Sequence, residues 1–120
     1  MTTDNLLPII TETDLEMVAR DGVKLSADIY RPDAPGPFPA LLLRTPYGKS
    51  NAADQTEARY FVPRGYMVVV QDVRGRWKSE GNFYPKLNDA EDGFDAVEWT
   101  AQLPWCDGRV GMIGQSYIAS

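Results

Sequence analysis

Val110-Gly-Met-Ile-Gly-Gln-Ser-Tyr117 is the stretch of sequence that decides the fold. Its first four residues form a short apolar run, which predicts a buried strand. Gly114 and Ser116 follow directly, and a helix is expected to start immediately after them. Strand, glycine, serine and helix in this order are the pattern of a nucleophile elbow, a tight turn that lifts the serine hydroxyl onto the rim of a sheet. Backbone N–H groups at the start of the next helix could then stabilise an oxyanion.

The elbow departs from the strict Gly-x-Ser-x-Gly pattern. Ile118 stands where the second glycine would be, and a small residue arrives only at Ala119. On local spacing alone two interpretations stay open. Ser116 is a nucleophile, or it only caps a helix that follows a buried strand.

The N-terminal half predicts a hairpin and two strands of a sheet. Apolar residues alternate through residues 14–30 around Arg20-Asp-Gly22, which indicates two strands joined by an Asp-Gly turn. Residues 40–43 and the β-branched run 66–71 predict buried strands, with a helix at about residues 53–61 between them.

A second helix is predicted from Asn88, a natural N-cap, to near Pro104. Its predicted apolar face consists of Ala90, Phe94, Val97 and Ala101. The order after the hairpin is then strand, helix, strand, helix, strand. This order predicts an α/β fold with a mostly parallel sheet and an antiparallel N-terminal hairpin.

Composition excludes several classes of function. The 120 residues are 43% hydrophobic and 24% charged, which is ordinary for one globular domain, and the net charge of -5 argues against binding to nucleic acid or an anionic membrane. With no histidine and only Cys106, the chain offers no zinc or copper ligand set, so we expect neither a metal nor another cofactor. The apolar residues 6–10 are too short for a signal core or a membrane span, and we expect a cytoplasmic protein.

Further motifs carry a resemblance to a known family. They include Arg44-Thr-Pro-Tyr-Gly-Lys49, Gln71-Asp-Val-Arg-Gly75, residues 17–32, Ser79-Glu-Gly81 and residues 105–117. In these segments the chain resembles the cocaine esterase and X-Pro dipeptidyl peptidase group of α/β-hydrolases. The elbow of that group typically reads Gly-x-Ser-Tyr-x-Gly, which Gly114, Ser116, Tyr117 and Ala119 fit better than they fit the strict pattern.

The resemblance implies roles for three residues. Ser116 would be the nucleophile, the Tyr47 hydroxyl would donate to the oxyanion, and the Tyr117 backbone N–H would be the second donor. The base histidine and its aspartate would come from later in the protein. Residues 1–120 would then be the N-terminal part of an α/β-hydrolase catalytic domain, truncated after the elbow and without the helical cap and C-terminal jelly-roll domain.

The activity implied is hydrolysis of a small-molecule ester or amide, or of a short peptide, through an acyl-enzyme. An X-Pro dipeptidyl peptidase is one alternative, and an inactive remnant or binding module is another, because a serine without a base is a poor nucleophile. No oligomeric state is indicated.

Two sets of charged residues are interpreted as structural. Asp72 and Arg74 follow a predicted central strand, where a paired aspartate and arginine most often tie down a loop. The acidic residues of the second helix are predicted to form a solvated face. They are Asp89, Glu91, Asp92, Asp95 and Glu98.

Overall fold

The structure is a computed structural model that describes residues 6–45, 47–75, 78–79 and 89–113. Within these residues, five strands and two α-helices follow one another, and a short 3-10 helix (Val62–Arg64) directly follows the first α-helix. They are β1 (Ile9–Val18), β2 (Lys24–Pro32), β3 (Phe38–Thr45), α1 (Ala52–Phe61), β4 (Met67–Asp72), α2 (Asp89–Ala101) and β5 (Cys106–Met112). Among the described residues, no helix is long and apolar enough to cross a membrane.

The five strands form one sheet in the order β1-β2-β4-β3-β5. β3, β4 and β5 run parallel, while β2 pairs antiparallel with both β1 and β4. The prediction of a parallel sheet with an antiparallel hairpin is confirmed. The hairpin turns where the Asp-Gly signal predicted, and Gly22 adopts a φ of 89° there, a left-handed conformation that glycine takes without strain.

All six residues of β4 are buried, because strands flank it on both sides and helices cover both faces of the sheet. Its side chains alternate between two cores. Val68 packs in the core that includes Ala58 of α1, and Val69 packs in the core that includes Ala96 of α2.

The strand predicted at residues 110–113 is present, with residues 110–112 in β5, but its predicted burial is wrong within the described part of the chain. Val110 and Ile113 are half-buried, and Met112 is 45% exposed. The reason is position: β5 pairs with β3 alone and lies at the edge of the described sheet.

The predicted apolar face of α2 is also wrong in part. Phe94 is 61% exposed and lies beside the Arg20 guanidinium, and Ala90 is exposed too. The side that faces the sheet carries Asp92, Ala96 and Thr100, all buried. At about 100° per residue, this side is roughly a third of a turn away from the predicted one.

Candidate active site

Tyr47 lies in the loop that leaves the carboxyl end of β3. Its backbone N–H donates to Thr45 Oγ1 at 3.0 Å, and its side chain is 54% exposed. Gly48 follows with a φ of 93° and turns the chain sharply. The loop borders a depression of about 350 Å³. Its lining residues are Tyr47, Gly48, Lys49, Ser50, Asn51, Asp72 and Lys78.

Asn51 joins this loop to helix α1. The Gly48 carbonyl oxygen accepts from the Asn51 backbone N–H at 3.0 Å and from its Nδ2 at 2.7 Å. The Asn51 Oδ1 accepts from the Asp54 backbone N–H at 3.0 Å, as the N-cap of α1. The loop that carries Tyr47 is therefore continuous with a capped helix.

Asp72, the last residue of β4, contacts the same loop. Its Oδ1 accepts from the Lys49 backbone N–H at 2.7 Å, and its Oδ2 accepts from the Lys78 backbone N–H at 3.3 Å. Burial raises the pKa of the Asp72 carboxyl, against the opposing effect of these two backbone donors. One carboxylate thus connects the loop after β3 with the loop after β4.

Lys49 places a buried ammonium below the loop. Its Nζ lies 2.6 Å from Asp14 Oδ1 and 3.1 Å from Asp28 Oδ1, and the Asp28 side chain is only 4% exposed. Burial acts to lower the pKa of Lys49, but its hydrogen bonds with the two carboxylates outweigh this effect and the net pKa is raised. Asp14 Oδ2 also pairs with the exposed Lys78 at 3.0 Å.

The predicted pairing of Asp72 with Arg74 is not what the structure shows. Asp72 binds the backbone N–H groups described above, whereas Arg74 binds Asp92 of α2 and Asp21 of the hairpin turn. Both residues tie down loops, as predicted, but through different partners.

The predicted solvated face of α2 is wrong for two of its members. Asp92 is buried against Arg74, and Asp95 accepts from the backbone and the guanidinium of Arg20. Of the rest, Glu91 and Glu98 are exposed. The side chain of Asp89 lies outside the described residues.

β3 and β5 are neighbouring parallel strands, and β3 extends three residues beyond the last pairing with β5, from Leu42 to Thr45. Leu42 and Met112 are register partners in the parallel pairing, and the Ile113 backbone N–H donates to the Leu42 carbonyl oxygen at 3.1 Å. Both strands point the same way, so the segments after them leave from one edge of the sheet. Ser116 and Tyr117 lie outside the described residues, and their roles stay predictions.

The contacts of Lys49 with its two carboxylates were not predicted from the sequence. A signal was present in β2, where Ser26, Asp28 and Tyr30 alternate with apolar residues. Such alternation usually indicates one solvated face, yet here both faces are buried. An aspartate on the second face therefore needs a buried cation, and Lys49 supplies it.

Comparison with known proteins decides the family. The sequence profile of the X-Pro dipeptidyl-peptidase (S15 family) matches residues 21–120. The chain belongs to the S15 family. This S15 chain is 48% identical to the cocaine esterase of Rhodococcus sp. (strain MB1 Bresler) over 103 residues, which are 82% of this chain and 18% of that protein.

Solved structures confirm the fold of this S15 chain. A CocE/NonD family hydrolase from Staphylococcus aureus superposes with a TM-score of 0.83 at 32% identity, covering 92% of this chain and 24% of that one. An alpha-amino acid ester hydrolase superposes with a TM-score of 0.77 at 30% identity, covering 96% and 22%. The predicted α/β-hydrolase fold is confirmed, and the chain spans 18% of the length of the cocaine esterase that it matches.

Proposed function

We propose that the intact protein hydrolyses small carboxylic esters or amides by acyl transfer, with Ser116 as the nucleophile. The Tyr47 hydroxyl and the Tyr117 backbone N–H would hold the oxyanion. The observation that carries the proposal is the Ile113–Leu42 hydrogen bond, because it continues the parallel pairing of β5 with β3 one residue beyond the end of β5. The segments that contain Tyr47 and Ser116 then start from neighbouring strands, which lie about 4.8 Å apart in a sheet.

The chemistry of Tyr47 supports its part in the proposal. A phenol hydroxyl can donate a hydrogen bond, and the Tyr47 side chain is half-exposed beside an open depression at the sheet rim. Hydrogen bonds hold the loop on both sides of Tyr47, at Thr45 Oγ1 and at the Gly48 carbonyl oxygen. Oxyanion stabilisation requires donors that are already in position, because reorganisation during the reaction would add to the barrier.

The reaction runs in two steps. The Ser116 Oγ attacks the carbonyl carbon while a base removes its proton, and the collapse of the tetrahedral intermediate breaks the C–O or C–N bond as that proton passes to the leaving group. Water then attacks the acyl-enzyme and returns a proton to Ser116 Oγ through the same base. This chain contains no histidine, so the base and its orienting aspartate would come from the part of the intact protein that follows residue 120.

The test is kinetic and uses the full-length protein with a p-nitrophenyl ester. We expect Ser116→Ala to abolish turnover and Tyr47→Phe to lower kcat about 100- to 1000-fold with little change in KM, because the hydroxyl acts mainly in the transition state. Turnover by Ser116→Ala equal to that of the parent would overturn the proposed nucleophile.

A second candidate is release of X-Pro dipeptides, which the description of the family favours. Comparing kcat/KM for the p-nitrophenyl ester with that for Gly-Pro p-nitroanilide separates the two activities. The 48% identity with cocaine esterase favours the ester. A higher kcat/KM for the anilide would favour the dipeptidyl peptidase over the esterase as the proposed activity. Turnover of neither substrate would favour an inactive protein or a binding module.

A further inference from the structure

The Asp72 carboxylate occupies a place in the fold that the proposed chemistry does not use directly. It is 1% exposed at the carboxyl end of β4, and burial raises its pKa, so keeping it ionised at neutral pH costs free energy. Buried ionisable groups with a shifted pKa occur often at functional sites.

One alternative is that the Asp72 carboxylate does no more than hold the loop after β4, through the Lys78 backbone N–H. That loop already has another tie: Ser79 Oγ donates to the Asp72 carbonyl oxygen at 2.6 Å and accepts from the Ser26 backbone N–H at 2.8 Å. The contact of Asp72 Oδ2 with the Lys78 N–H is also the longer one, at 3.3 Å. The side chain is therefore not the main support of that loop.

The shorter contact of the Asp72 carboxylate is with the loop that carries Tyr47. Asp72 Oδ1 accepts from the Lys49 backbone N–H at 2.7 Å, the distance of a strong charge-assisted hydrogen bond. Thr45 Oγ1 holds the Tyr47 N–H, and only Gly48 separates Tyr47 from Lys49. Because glycine restricts the backbone least, the hydrogen bonds on either side of Gly48 are needed to fix the path of the loop.

We infer that Asp72 is a positioning residue for Tyr47: by accepting from the Lys49 N–H, it holds the loop so that the Tyr47 hydroxyl meets the developing oxyanion. This inference rests on the proposed function. In this role the Asp72 carboxylate binds the backbone of the loop, and its effect on the reaction passes through Tyr47.

The inference predicts a specific kinetic pattern for full-length Asp72→Ala. Misplacing a catalytic group by about 1 Å can cost roughly 100-fold in rate, so we expect kcat to fall about 10- to 100-fold with KM nearly unchanged. Asp72→Asn keeps an oxygen acceptor for the Lys49 N–H and is expected to retain kcat within about threefold. The control is Asp95→Asn on α2, which breaks the ion pair with Arg20 of the hairpin turn and should leave kcat unchanged.

The deciding experiment is a double-mutant cycle of Asp72→Ala with Tyr47→Phe. If Asp72 acts through Tyr47, its loss of kcat is absent in the Tyr47→Phe background. If Asp72→Ala does not fold, Asp72→Leu replaces it, because leucine removes the acceptor while keeping a similar side-chain volume, and its loss of kcat must likewise vanish in that background. The inference would be overturned if the fold-losses in kcat of the two single variants multiply in the double variant, or if Asp72→Ala leaves kcat unchanged.

The same cycle separates failure of this inference from failure of the proposed function. A normal kcat for Tyr47→Phe, with Ser116→Ala inactive, would remove the oxyanion role of Tyr47 and the inference with it. A large loss for Tyr47→Phe together with multiplying losses would remove the role of Asp72 alone.

Discussion

Arg74 donates two hydrogen bonds to the Asp92 carboxylate, from Nε at 2.8 Å and from Nη2 at 2.7 Å. The side chains are 12% and 3% exposed, and Asp21 contacts the same guanidinium at 3.0 Å. The hydrogen bond with Asp92 is the main cause of the raised pKa of Arg74. This pair therefore joins the loop after β4 to α2 and to the hairpin turn.

Asp92→Ala should lower the free energy of unfolding by about 3 kcal/mol, because it leaves the largely buried Arg74 without its best partner. Denaturant unfolding of the full-length protein measures this change. Glu91→Ala, at an exposed position of the same helix, should stay within about 0.5 kcal/mol of the parent. Equal effects of the two substitutions would contradict a stabilising role for the Arg74–Asp92 pair.

Asp14 should make stability depend on pH in the acid range. Hydrogen bonds from Lys49 and Lys78 hold the pKa of Asp14 below its ordinary value, so the unfolded state binds more protons than the folded state. The stability that Asp14 contributes is present above the unfolded pKa of about 3.9 and is lost as pH falls through the folded pKa. The advantage of the parent over Asp14→Asn should therefore shrink below about pH 4, measured by denaturant unfolding between pH 2.5 and 7.

Asp72 should make stability depend on pH in the opposite direction. Because burial raises its pKa, the folded state binds the proton more readily, and this contribution to stability is lost as pH rises through the folded pKa. Relative to the parent, Asp72→Asn should therefore gain stability as pH rises from about 4 toward neutrality. The same titration series measures both variants, and a parallel pH dependence for Asp14→Asn and Asp72→Asn would contradict the assigned directions.

Much of the fold could be predicted from local patterns. The Asp-Gly turn with alternating residues gave β1 and β2, and the β-branched run at residues 66–71 gave the buried strand β4. These signals are reliable because turn chemistry and period-2 burial act within a few residues. The order of the strands in the sheet, by contrast, depends on contacts between distant parts of the chain.

The helix face shows what local periodicity leaves out. Phe94 is the largest apolar residue near the middle of α2, yet it lies outside against Arg20, while the small Ala96 faces the sheet. The rotation of the helix follows from Asp92 and Asp95, which bind arginines from the loop after β4 and from the hairpin turn. Those pairings join residues 18 and 75 positions apart, which no helical period could reveal.

The candidate site was predictable only at its strand ends. Tyr47 was expected beyond the end of β3 and lies there, half-exposed. The Asp72–Lys49 contact was not foreseen, because a backbone N–H is present at nearly every residue and gives no sequence signal.

The edge at β5 should make a 120-residue chain associate with itself. Met112 is 45% exposed on a strand that pairs on one side only within the described residues, whereas the outer strand β1 carries acidic side chains and an irregularity between Glu12 and Leu15. We expect concentration-dependent oligomers in analytical ultracentrifugation, and fewer of them for Met112→Lys. Phe94→Gln removes an exposed apolar side chain from α2 and should change association little. A monomeric 120-residue chain with cooperative unfolding would contradict this expectation.

Labelling with a fluorophosphonate tests the central claim most directly, because the reagent reacts with an activated serine and reports its position by peptide mapping. Full-length protein should acquire one phosphonyl group, on the peptide that contains Ser116, and Ser116→Ala should acquire none. Equal labelling of the parent and Ser116→Ala would contradict the account.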